Sequence, residues 1–283
     1  MLDIRPENYR IHLIPDLAQF TFAGDVTVQV EAPNAIETLG LNILDLIILS
    51  CDVELNGKWA NCTFETDVEK EELQILLPQK MQGAIRIRIR YEGQINDKMA
   101  GFYRSQYTHA GKTHYIAVTQ FEESDARRAF PCMDHPAKKA TFDIIMDIDR
   151  DLVAISNGDI AQETELDNGK KRVTFEQTPK MSTYLVFFGI GDFEFTQDSE
   201  DPRVRVATLP GMKPYAMFGL EFGRKSLAFS EDYYGIAYPL PKMDLIAIPD
   251  FAFGAMENWG AITFRENLLL HYPEITSRSG EER

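Results

Sequence analysis

The chain has 283 residues, 44% of them hydrophobic and 26% charged, which is enough apolar material for a core and excludes bulk disorder. Its net charge of −15 argues against general binding to nucleic acid, whose phosphates it would repel. No apolar run reaches the roughly 18 residues of a membrane span. The start, Met1-Leu2-Asp3-Ile4-Arg5, also lacks the basic-then-apolar pattern of a signal peptide, so the expectation is a cytoplasmic protein that binds neither nucleic acid nor membrane.

At about 100–200 residues per domain, the length suggests two domains. Tyr9, Ile11 and Leu13 begin a series of alternating segments, the first closed by Pro15-Asp16. Val26, Val28 and Val30 continue it. Ile85, Ile87, Ile89 and Tyr91 then alternate with Arg86, Arg88 and Arg90, and Phe142, Ile144, Met146 and Ile148 repeat the pattern. A period of two places one face of each strand in a core and the other in water. Gly24-Asp25, Asn56-Gly57, Gly93, Asn157-Gly158 and Asn168-Gly169 read as turns between them. Many short strands with regular turns imply a mostly β fold, an antiparallel sandwich or saddle over residues 1–190. Cys51, Cys62 and Cys132 are too few for a disulfide framework. A Cys51–Cys62 bridge is allowed by number alone, and free thiols are the expectation for a reducing cytoplasm. Asn61-Cys62-Thr63 has the form of a glycosylation sequon and, with no secretion signal, reads as chance.

Near residue 190 the character changes. Val204 and Val206 still alternate, and then Lys213-Pro214 opens a helical stretch to about Tyr234. Phe218, Phe222, Phe229 and Tyr233 are spaced +4, +7, +4, and Ala216, Leu220 and Leu227 are spaced +4, +7. Pro214 suits a first turn, and Gly235 and Pro239 suit a stop. Gly219 and Gly223 weaken the helix, so tertiary packing must hold it. Leu245-Ile246-Ala247-Ile248, closed by Pro249-Asp250, and Ile262 to about Phe264 read as further strands. This is the first α+β part of a second domain, residues 191–283. Thr276 to Arg283 are polar and do not read as a domain end, so that domain is expected to be incomplete.

Two stretches carry chemistry. In Phe251-Ala252-Phe253-Gly254-Ala255-Met256-Glu257-Asn258-Trp259-Gly260, between two strands, Gly254 and Ala255 leave the backbone bare enough for an extended peptide to pair as an added strand. Glu257 then faces its amino end, where a carboxylate makes a charge-assisted hydrogen bond to an α-ammonium. The plain alternative is a hairpin with small residues and one exposed Glu. The other stretch is Thr119-Gln120-Phe121-Glu122, followed by Asp125-Ala126-Arg127-Arg128-Ala129-Phe130-Pro131-Cys132. If extended, it sets Gln120 and Glu122 on one face as further ammonium acceptors. Its plain alternative is a loop in which Glu122 or Glu123 pairs with Arg127 or Arg128.

These residues carry a resemblance. Gly254-Ala255-Met256-Glu257-Asn258 resembles the exopeptidase motif of the aminopeptidase N family of zinc aminopeptidases, the gluzincins. Residues 119–132 are similar to that family too, with Asp134-His135-Pro136-Ala137 where its members usually have Asp-Glu-Pro-Ala. So are Met181-Ser182-Thr183-Tyr184-Leu185 and Pro239-Leu240-Pro241-Lys242-Met243-Asp244. The likeness runs over nearly the whole chain. It implies a saddle-shaped β domain followed by a thermolysin-like catalytic domain, and removal of single residues from peptides with a free amino terminus. It implies that Glu257 binds the α-amino group with Glu122 and Gln120 assisting. Gly254 and Ala255 would line the substrate backbone, and Met256 would border the first side-chain pocket or simply pack in the core.

The metal is the departure. A zinc peptidase of this kind needs two His at i and i+4 with a Glu between them. None of the five histidines, His12, His109, His114, His135 and His271, fits that spacing. No substitute nucleophile stands out, since Cys132 has no evident base, and no phosphate-cradling Gly loop is present. The expectation is therefore an amino-terminal portion with no catalytic residue and no metal ligand of its own. It would be inactive alone, with zinc bound only in the full-length parent and with that parent's C-terminal domains as its partners. The alternative is a non-catalytic scaffold or binding module related to the family. A third reading, the related epoxide-hydrolysing aminopeptidases, is disfavoured because those usually carry a second Gly where Ala255 stands.

Overall fold

The structure is a computed structural model that describes residues 4–167 and 169–273. Met1-Leu2-Asp3, Asn168 and the polar stretch Thr276 to Arg283 lie outside the described residues. The chain is mostly β. It divides into two compact units, the first formed by Met1–Tyr103, Thr119–Arg150 and Ile160–Val186, the second by Arg104–Val118, Asp151–Asp159 and Phe187–Arg283.

In chain order the strands begin β1 (Arg5–Asp16), β2 (Thr21–Asn42), β3 (Leu46–Leu55), β4 (Lys58–Asp67), β5 (Glu72–Gln94), β6 (Gly101–His109) and β7 (Lys112–Gln120). They continue with β8 (Thr141–Asp149), β9 (Val153–Ser156), β10 (Ile160–Glu165) and β11 (Lys170–Phe175). Unit 1 is an eight-stranded sheet in the order β10-β11-β8-β1-β2-β5-β3-β4. Its pairings are antiparallel except for β1 beside β8, which is parallel. The apolar halves of the alternating segments are buried together: Tyr9, Ile11, Leu13, Val26, Val28, Ile87, Ile89, Tyr91, Phe142 and Met146 are all at 0% exposure. Their arginine neighbours face solvent, where Arg86 pairs with Glu54 and Arg88 lies over Trp59. β1 ends where the Asp16 carboxylate accepts from the N–H groups of Ala18 and Gln19.

Two glycine signals read differently once folded. Asn56-Gly57 is a hairpin turn with both residues at positive φ, 51° and 77°. Gly24 and Gly93 instead lie inside the long strands β2 and β5. A Cβ on Gly24 would stand 2.2 Å from the Tyr91 ring, and one on Gly93 would stand 2.3 Å from the Phe22 ring. These glycines make room for a buried cross-strand aromatic; they do not turn the chain. Cys51 and Cys62 stand opposite each other on β3 and β4 as free, buried thiols.

Unit 2 adds β12 (Phe188–Gly191), β13 (Glu194–Gln197), β14 (Val204–Thr208), α1 (Met217–Tyr234), β15 (Met243–Ile248), β16 (Ala255–Met256), β17 (Ala261–Arg265) and the short α2 (Glu266–Leu269). One sheet has the order β6-β7-β12-β9, and a five-stranded sheet has the order β13-β14-β15-β17-β16. β14, β15 and β17 are parallel, with α1 as the crossover between the first two. Of the two stripes on α1, Ala216, Leu220 and Leu227 pack against Val204, Val206, Leu245 and Ala247. Phe222, Phe229 and Tyr233 are 60–71% exposed on the other side. Gly223 lets the helix approach the sheet, because a Cβ there would stand 2.5 Å from Leu245. The helix stops at Gly235, which is left-handed with φ 65°. Among the described residues no helix is long and apolar enough to cross a membrane.

Candidate functional site

Among the described residues β16 forms the edge of its sheet and pairs with β17 alone, through Ala255 with Phe264 and Met256 with Thr263. Its lead-in is braced by Arg265, whose guanidinium donates to the carbonyls of Phe251 (3.1 Å) and Ala252 (2.8 Å) and whose N–H donates to Gly254 O (2.9 Å). Gly254 and Ala255 are exposed. From there the side chains alternate. Met256 is buried at 1%, Glu257 points into solvent, and Asn258 is buried at 1% and donates to Thr263 Oγ1 at 3.3 Å. Met256 as it stands packs inside the unit and offers an added strand its backbone only. Among the described residues Glu257 has neither an ion pair nor a hydrogen bond. A cavity of about 250 Å³ beside it is lined by Tyr238, Leu240, Trp259 and Ile262 as well as Glu257.

The far side of this loop is held by groups to which the sequence reading gave no role at the site. Lys242 is only 3% exposed, and its ammonium donates to Ser156 O (2.8 Å) and Gly260 O (2.6 Å) while pairing with Asp244 (2.8 Å). Asp244, fully buried, also takes both arms of Arg205 at 2.6 and 3.0 Å. Burial lowers the pKa of Lys242, and Asp244 opposes that shift. Asn157 donates to Trp259 O at 2.9 Å. Gly260 sits at φ 73° with no room for a Cβ, which would meet Asn157 O at 2.4 Å. The available signal was a cation and a carboxylate, Lys242 and Asp244, two residues apart at the start of an otherwise apolar strand, a place where charges need built-in partners.

The stretch beginning at Gln120 belongs to unit 1. β7 stops at Gln120, so Gln120 and Glu122 do not share a strand face as the extended reading required. Gln120 is 2% exposed, and neither its amide oxygen nor its amide nitrogen has a hydrogen-bond partner. A buried amide left unmet costs on the order of 1–3 kcal/mol. Glu122 is exposed and has no ion pair among the described residues. The arginines do not reach for it: Arg127 pairs with Asp134 and Glu71, and Arg128 pairs with Asp125 and Asp45. The plain salt-bridged loop therefore exists, with other carboxylates than Glu122 and Glu123. Beneath it Phe130 packs edge-on to Phe121, Tyr9 and Phe142. Cys132 is fully buried, and burial pushes its thiol well above the usual range, which makes it an inert packing group. Two of the resemblance-bearing segments also hold each other. Thr183 donates to Asp134 (2.7 Å), and Ser182 donates to Pro136 O (2.7 Å). A larger cavity of unit 1, about 480 Å³ and lined in part by Asp45, Ile47, Val68 and Arg128, contains none of the candidate residues.

No group of three His, Cys, Asp or Glu side chains converges as a metal requires among the described residues. His12 is against Asp147, His114 against Asp192 and His271 against the Phe218 ring, while the His135 ring accepts from the Ala137 N–H. His109 lies beside His114. These residues do not fit a zinc site.

Residues 5–185 match the Peptidase M1 N-terminal domain, and residues 218–283 match the Peptidase family M1 domain. The chain belongs to peptidase family M1. Its M1 relatives include a puromycin-sensitive aminopeptidase of Caenorhabditis elegans, 41% identical over 98% of this chain and 30% of that protein. Aminopeptidase M1 of Arabidopsis thaliana is 39% identical over 98% of this chain and 32% of its own length. The alanine/arginine aminopeptidase of Saccharomyces cerevisiae is 37% identical over 93% and 31%. The chain thus spans about a third of the length of these curated M1 relatives. Within the M1 match, Gly254-Ala255-Met256-Glu257-Asn258 occupies the edge strand and its exit loop.

Proposed function

We propose that this chain is the amino-terminal part of a zinc-dependent M1 aminopeptidase that releases single residues from the free amino terminus of peptides. It supplies amine recognition and no metal ligand, and is inactive by itself. The observation that carries the reading is a solvent-facing carboxylate, Glu257, unpaired among the described residues, directly after an edge strand whose first residue, Ala255, and the Gly254 before it are exposed. An extended peptide adds to such an edge through main-chain hydrogen bonds. Its leading ammonium then meets Glu257 in a charge-assisted bond. An internal peptide segment offers no ammonium and would leave the carboxylate desolvated and unmatched, so the site reads the end of a chain and rejects its middle.

Gln120 and Glu122 serve as further acceptors in this reading. The orphaned amide of Gln120 supports it, because a polar ligand would satisfy what the protein leaves unmet. In this reading zinc is held by residues of the full-length parent, and that parent's C-terminal domains are the partners of this chain. Three free thiols support a reducing, cytoplasmic location. The test is Glu257→Ala in the polypeptide carried to the length of its relatives. The expected result is a fall in kcat/KM for free-amine peptides of roughly ten- to a hundredfold. Unchanged kinetics would remove Glu257 from its role.

A further inference from the structure

Three segments distant in sequence meet at the ammonium of Lys242: the end of β9 at Ser156, the start of β15 at Asp244, and the exit of the Glu257 loop at Gly260. An ammonium has three protons, and here each has one acceptor, at 2.8, 2.6 and 2.8 Å. The Asp244 N–H also donates to Gly260 O (3.2 Å), and Asn157 holds the neighbouring Trp259 carbonyl. On the other side the loop is fixed by the Met256–Thr263 pairing and by the buried Asn258. The outward residue between two such anchors has little freedom to retreat.

We propose that Lys242 is a positioning residue for amine recognition: by tying Gly260 O to Ser156 O and Asp244, it fixes the loop that presents Glu257 at the β16 edge. The inference rests on the assignment of Glu257 above. Lys242 touches no substrate; it acts through the backbone of the loop. A buried cation used only to neutralise Asp244 would be redundant, because Arg205 already makes a bidentate pair with that carboxylate. The two carbonyls are what Lys242 alone joins.

The experiment measures, in the polypeptide carried to the length of its relatives, the ratio of kcat/KM for a free-amine tripeptide to that for its N-acetyl form. Lys242→Met keeps the aliphatic stem and removes the donors. It is expected to lower the ratio by about tenfold or more, chiefly through KM for the free-amine peptide, while Lys242→Arg restores a good part of it. Gly260→Ala leaves Lys242 in place but drives a Cβ into Asn157 O, and it is expected to lower the same ratio. A folded Lys242→Met or Gly260→Ala protein with the wild-type ratio overturns the proposal. A measurement on the unaltered polypeptide carried to the length of its relatives stands apart from folding of the variants: NMR order parameters for residues 257–260 should match the rigid-backbone value of about 0.85, and values below about 0.6 overturn the proposal. If the wild type does not discriminate between the two peptides, the Glu257 assignment fails first. If it discriminates and the variants do too, only the role of Lys242 fails.

Discussion

Around Glu257 in unit 2, the buried polar side chains Lys242, Asp244, Asn157 and Asn258 all have partners, and the one charge left over faces water. In unit 1, the stretch beginning at Gln120 is laid on a bed of aromatic rings and its arginines are fully engaged, yet a whole buried amide is left without a partner. Saturated polar networks rigidify a backbone. Orphaned ones mark a place where the folded chain carries a cost that something else can relieve. The two regions carry the same family resemblance, but they are built differently, one as a fixed support for an exposed charge and the other around an unmet hydrogen-bonding group.

The harshest way to break the contrast is Asp244→Ala. It leaves the buried Lys242 without its carboxylate and the half-buried Arg205 with only the more distant Asp159, and should cost about 3–5 kcal/mol, read from urea unfolding of the chain. A loss under about 1 kcal/mol would mean that the unit 2 network is not the support described. Gln120→Met tests the other side. Replacing an unmet buried amide by an apolar side chain of similar size should stabilise the chain by about 1 kcal/mol while weakening free-amine substrates in the full-length enzyme. Destabilisation would show that the amide does have partners.

How far these features could be seen in the sequence depends on the range of the interaction. Period-two alternation is local, and Ile85 to Tyr91 with their arginine neighbours declared both faces of β5. Gly24 and Gly93 misled because a glycine that ends a strand and one that clears space for Tyr91 or Phe22 look alike until the partner strand is placed. The two apolar stripes of α1 were both visible, but only the position of β14 and β15 decides which one is core. At the candidate site the motif residues were legible by resemblance. The roles of Lys242 and Asn157 were not, since they arise from contacts between segments 86 and 102 residues apart. Arg127 and Arg128 had adjacent glutamates to hand and took Asp134, Glu71, Asp125 and Asp45 instead.

The gentlest probe is acid titration of a well-partnered carboxylate in unit 1, where Ser50, Arg88 and Tyr91 also have a buried polar atom without a partner. Asp147, at 5% exposure, takes both arms of Arg172 and the ring of His12. Burial pushes its carboxyl up, but Arg172 and His12 outweigh that and hold it below its ordinary value. Because the folded pKa is depressed, the stabilisation is complete above the unfolded value near 4 and is lost as pH falls through the folded value. Unfolding midpoints should therefore drop below about pH 4 in the wild type, and Asp147→Asn should remove this part of the drop. An identical acid profile in the two proteins would show that Asp147 does not contribute.

The most direct test of the central claim compares one peptide with its N-acetylated form as substrates of the full-length protein. The account predicts release of the first residue from the free-amine peptide and none detectable from the acetylated one, because only the former brings a cation to Glu257. Equal trimming of both would contradict it.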